Sequence, residues 1–109
     1  MVRYIILGKF NLIGVKGVIK SNADRALEAK KAVEAAGGKF ISYDFTRGTY
    51  DFVGIADGLN DAKASALKGV VLSSGDFEQI DILNTYDQLE FSKTAKLIMS
   101  AGYKPPSKS

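Results

Sequence analysis

The chain has 109 residues, 46% of them hydrophobic and 25% charged, which fits one globular domain with a thin core. It contains no cysteine and no histidine, which excludes disulfides, thiolate zinc sites and the imidazole that most often serves as general base near neutral pH. The formal charge is only +3. Residues 1–43 carry eight basic and three acidic side chains, and residues 44–90 carry three and nine, so opposite charges can neighbour one another rather than build one basic face.

Residues 3–10 read as a first strand. Tyr4, Ile6 and Gly8 share one face, Ile5 and Leu7 the other, and both are apolar, as in a central strand covered on both sides. Residues 11–17 are punctuated by glycine and are expected as a loop or a short helical turn. Ser21, with Asp24 three residues on, is expected to cap a helix running to Ala36, with Ala26, Ala29, Val33 and Ala36 as its inner stripe. Gly37 and Gly38 end it. In residues 39–46, Ile41, Tyr43 and Phe45 alternate with Ser42, Asp44 and Thr46, the pattern of an edge strand with one wet face. Gly48 makes the turn into a third strand, residues 50–56, apolar on both faces. Asn60 or Asp61 caps a second helix to about Leu72, with Ala62, Ala66, Leu67, Gly69 and Val70 close on the sheet. Residues 76–85 form a fourth strand of edge character. Asp87 and Glu90 open a last helix with the apolar stripe Phe91, Ala95, Ile98 and Met99. The domain is residues 1–102, and residues 103–109 are expected as a disordered basic Pro/Ser tail.

The order is βαββαβ, with the first and third strands central and the second and fourth at the edges. That is an α+β, ferredoxin-like sandwich: a four-stranded antiparallel sheet in order 4-1-3-2, both helices on one face, and an additional C-terminal helix. Two helices cover one face only, yet the central strands are apolar on both. The open face is therefore expected to be closed by a second subunit, as a homodimer or a higher even oligomer.

The run Tyr4-Ile5-Ile6-Leu7-Gly8-Lys9-Phe10, the Gly37-Gly38-Lys39 step, and Gly48-Thr49-Tyr50-Asp51-Phe52-Val53 at the hairpin resemble the GYD domain family over about residues 3–85. The resemblance implies a ferredoxin-like subunit of the dimeric α+β barrel type, from bacteria or archaea, and no particular reaction. The acidic run 76–81 and the helix over residues 87–101 depart from the family pattern.

Asn11, Tyr43, Arg47, Tyr50 and Asp51 are the ligand-binding candidates, with Gly48 as the structural turn. Turn chemistry accounts for Gly48, Tyr50 and Asp51 without a ligand; the functional reading makes them the polar mouth of a pocket, Tyr50 donating and Asp51 accepting. Arg47 is either solvated or an anion contact, and Asn11 a turn residue or a group facing a helix-to-sheet cleft. Asp57, Asn60 and Asp61 lack calcium-loop spacing and fit helix capping, so no metal and no cofactor are expected. Three functions follow. The first is a homo-oligomeric small-molecule-binding or regulatory module, cytoplasmic and with no membrane segment. The second is a cofactor-independent, monooxygenase- or isomerase-like enzyme with a helix-to-sheet pocket. The third is a single-stranded RNA binder using Tyr4, Phe10, Tyr50 and Phe52, against which Thr49 after the glycine and the near-neutral charge both argue.

Overall fold

A computed structural model describes residues 2–108. The elements are β1 (Arg3–Phe10), α1 (Leu12–Lys20), α2 (Arg25–Ala35), β2 (Lys39–Phe45), β3 (Phe52–Asp57), α3 (Asp61–Ser73), β4 (Phe77–Asn84) and α4 (Gln88–Ser100), followed by a single 3-10 turn at Pro106–Lys108. The sheet is antiparallel in order β2-β3-β1-β4, the expected order read from the other edge. The chain is a ferredoxin-like α+β sandwich.

One face of β1 (Tyr4, Ile6, Gly8) lies opposite Ala56, Gly54 and Phe52 of β3, in register. This face carries the core: Tyr4, Ala56 and Leu59 pack with Val33 of α2 and with Ala64 and Leu67 of α3. Tyr4 is buried, and its hydroxyl donates to Asp61 Oδ1 at 2.8 Å, which fastens β1 to the first turn of α3. The stripe expected on α3 is shifted: Ala64 and Leu67 are the buried residues, and Val70 is exposed. β3 begins at Phe52, so Tyr50 and Asp51 belong to the loop before it and not to the strand.

Three further local readings are corrected. Residues 12–20 form a helix of nine residues, longer than the loop or short helical turn expected. Asn11 caps it, accepting from the Gly14 N–H at 3.0 Å and donating through Nδ2 to the Gly75 carbonyl at 2.6 Å. α2 starts later than expected, with Asp24 as N-cap accepting from the Ala26 N–H; Ser21 closes α1 instead. In β2 the register shifts between Phe40 and Ser42, a bulge at Ile41. It turns Phe40, Tyr43 and Phe45 together onto the helix side, opposite Ala56, Gly54 and Phe52, and leaves Ile41 more than a third exposed.

α4 has no buried residue; Leu89, Phe91, Leu97, Ile98 and Met99 are all exposed. The molecule is accordingly long, 59 × 31 × 23 Å. α1 also exposes Leu12, Ile13 and Ile19. Among the described residues, no helix is long and apolar enough to cross a membrane.

Two glycines carry different constraints. Gly48 has φ +134°, and a Cβ there would meet open space. Gly8 lies under the Phe52 ring, where a Cβ would stand 2.1 Å from Phe52 Cζ. Gly8→Ala should therefore destabilise by about 1–3 kcal/mol through overpacking. Gly48→Ala should cost about 1 kcal/mol, from backbone conformation alone. Urea unfolding of the two variants beside the parent checks the order; equal midpoints would show that Phe52 yields without cost.

Candidate functional site

α2 lies mainly over β2 and α3 mainly over β4, and the two meet the central strands around Tyr4 and Ala56. The alanines that α2 turns toward the gap, Ala29 and Ala32, are too small to fill it. What remains is a cavity of about 340 Å³ between the two helices and the sheet. Ile6 and Gly54 form its floor, and Val33, Leu67, Val71 and Ile82 are among its apolar walls. A Cβ on Gly54 would make only ordinary contacts, the nearest at 3.7 Å to Tyr43, so the floor is open above this position.

At one end the floor is aromatic. Tyr43 stacks on Phe52 with centroids 5.1 Å apart and planes at 25°. Phe52 and Phe45 in turn contact Phe10, and Phe52 and Phe10 both contact Phe77. Five rings from all four strands thus brace one another, which fixes the Tyr43 ring more firmly than strand geometry alone would. Burial pushes the Tyr43 hydroxyl up to about 12, and the Arg25 guanidinium beside it pulls the other way without prevailing. The phenol is therefore neutral and a donor at pH 7.

Arg25 is the first residue of α2 and lines the cavity. Among the described residues, its Nε is the buried side-chain polar atom that lacks a hydrogen-bond partner. Sequence reasoning passed over Arg25 because an arginine in the first turn of a helix reads as a surface residue. One signal was available: Arg25, Ala29 and Val33 stand at i, i+4 and i+8, so the inner stripe of α2 continues back to Arg25.

The five sequence candidates do not converge. Tyr43 lines the cavity. Asn11 is the cap of α1. Arg47 is exposed in the hairpin. Asp51 accepts from the Phe10 N–H at 2.8 Å, which ties the hairpin to the end of β1. Tyr50 donates to Asp81 Oδ2 at 2.6 Å; Gln79 donates to the same oxygen, and Lys9 lies over the Tyr50 ring. That bond holds the Tyr50 hydroxyl up and the Asp81 carboxyl down from their ordinary ranges. The enzymatic alternative relied on Asn11 or Tyr50 facing a cavity, and neither lines this one. The RNA alternative relied on exposed rings, whereas Tyr4 and Phe52 are buried on the helix side.

The ionisation of Tyr43 has a consequence for stability. Its pKa in the folded chain lies above the ordinary value of 10, so between about pH 10 and 12 the unfolded chain ionises first and stability falls as pH rises. Tyr43→Phe should make that alkaline decline shallower and remove the last-titrating component of the tyrosinate absorbance. An unchanged pH profile in both measurements would place the hydroxyl in water.

The family model of the GYD domain matches residues 4–95. The match runs past the expected end near residue 85 and takes in the first half of α4. Among solved structures, a hypothetical protein from Pyrococcus horikoshii is similar at 11% identity and a TM-score of 0.49, covering 81% of this chain and 93% of that one. A protein from Agrobacterium tumefaciens is similar at 10% identity and a TM-score of 0.47, covering 79% of this chain and 92% of that one. A comparison with curated proteins finds no match.

Proposed function

The chain belongs to the GYD domain family, and on that premise we propose that it is a homo-oligomeric small-molecule-binding module whose ligand occupies the cavity between α2 and α3. The observation that carries this reading is the cavity itself. Its 340 Å³ falls in the size range of small-molecule sites, its walls are mostly apolar, and two polar groups, Arg25 and Tyr43, converge at one end. It also interrupts the core of a domain with little core to spare, so an occupant would stabilise the fold as well as bind to it.

The partner is a second copy of the chain. Ile5, Leu7, Val53 and Ile55 line the sheet face away from α2 and α3, with exposed Leu83 beside them. α1 and α4 add the exposed apolar side chains already described. An amphipathic helix of 13 residues is marginal alone in water, so α4 needs a surface to rest on. The cysteine-free composition supports a reducing, cytoplasmic setting.

Two measurements test the proposal. A panel of small apolar and amphipathic compounds should raise Tm; at a hundred times Kd the gain is about 2.7 kcal/mol, on the order of 10 °C for a domain of this size. Gly54→Val, which extends a side chain into the cavity, should abolish that rise while leaving the unliganded protein folded. A panel with no active compound would overturn the binding reading. Sedimentation at micromolar concentration should give a dimer or higher even oligomer, and Phe91→Glu with Ile98→Glu should weaken it. A monomeric parent protein would overturn the assembly.

A further inference from the structure

We propose that the ligand is a carboxylate with an apolar body, its acid group held by the Arg25 guanidinium and the Tyr43 hydroxyl. This rests on the cavity being a ligand site, as argued above. The starting point is the orphaned Nε of Arg25. Arginine has five N–H donors, no acceptor, and a charge it does not lose, so a buried N–H of this group with nothing to accept it is costly to keep. Tyr43, beside it, is a neutral phenol and so a second donor. Two donors and one positive charge at the end of an apolar cavity ask for an anionic acceptor.

The protein supplies none. Glu28, one turn along α2 and also in the cavity wall, is engaged with Lys31 at 2.9 Å. Asp24 caps α2 through the Ala26 N–H. Asp44 lies on the opposite face of β2. Asp76 and Lys68 line the α3 side. Among the described residues, the ion pairs are Arg3 with Asp57 and Lys31 with Glu28; Arg25 forms none, and its charge reaches Glu28 only as a minor addition to the Lys31 bond that holds that carboxyl down. A planar carboxylate matches the guanidinium fork geometrically. The rest of the cavity is mostly apolar and aromatic, and at protein-like packing it holds on the order of ten non-hydrogen atoms. A medium-chain fatty acid or an arylalkanoic acid fits both requirements.

Matched pairs test this on the full chain. Octanoate and octanamide, and hydrocinnamate and hydrocinnamide, differ at the acid group alone; titration calorimetry near neutral pH gives an affinity for each. The acids should bind at least tenfold more tightly than their amides, and raising the salt concentration should weaken the acids only. Arg25→Gln should remove the acid-over-amide preference, lowering acid affinity by a far larger factor than amide affinity. Tyr43→Phe should lower acid affinity by a smaller factor. Equal binding of acid and amide would overturn the carboxylate inference while the cavity reading stands. Failure of all four compounds to bind would count against the cavity reading itself. A preference for the acids that persists in Arg25→Gln would overturn the role of Arg25. If Arg25→Gln does not fold, the salt dependence of the parent protein and the Tyr43→Phe titration decide, and an acid affinity insensitive to both overturns the proposal.

Discussion

The separation of α2 from α3 governs this molecule. Each helix rests mainly over an edge strand, and the small residues between them, Ala29, Ala32 and Gly54, do not close the gap. The buried set is accordingly small: Tyr4, Val33, Phe52, Ala56, Leu59, Ala64, Leu67 and Ile80. With so few apolar side chains removed from water, the hydrophobic contribution is modest and every loosely filled position matters. The same spacing that weakens the core creates the cavity, so fold and candidate site are one feature seen from two sides.

Polar groups divide according to which face of the sheet they occupy. On the helix side, Tyr4 bonds to Asp61 and the Tyr43 hydroxyl meets Arg25 inside the cavity. On the other side, Tyr50, Asp81, Gln79 and Lys9 form an interlocked set beside the apolar patch of β1 and β3. Asp51 connects the two regions by holding the end of β1 through its backbone. Tyr50 and Asp51, in the hairpin that signals the family, thus make contacts within the fold, while the buried unpartnered polar atom lies on α2.

Much of the fold is legible in the sequence because apolar periodicity is a strong signal. The doubly apolar patterns around Ile5–Ile6 and Val53–Ile55 place β1 and β3 at the centre, and Asn60, Gly75 and Asp87 mark helix ends in the residue types that capping demands. The full length of α1 is not legible because its exposed residues are mostly Leu, Ile and Val, only Lys16 and Lys20 mark a polar side, and Gly14 and Gly17 interrupt the helical period. The site is less legible. Tyr43, a candidate in the sequence, lines the cavity, but its place on the same face as Phe40 depends on a bulge that no propensity foretells, and Arg25 acquires its meaning only when α2 settles over β2. Long-range placement, not residue type, carries that information.

The bulge at Ile41 gives the strand one residue to spare. Phe40, Ser42 and Tyr43 already stand opposite the consecutive residues Ala56, Ile55 and Gly54, so removing Ile41 would leave a regular alternation with Phe40 and Tyr43 still on the helix side. Tyr43 would keep its place beside Arg25, and Asp44 would stay on the far face. A single-codon deletion there would smooth the strand and reduce its local twist without turning a carboxylate toward the cavity. Divergence in chain length among related chains is therefore tolerated at this one point of β2, whereas a residue lost or gained between Tyr43 and Phe45 would set the two rings on opposite faces.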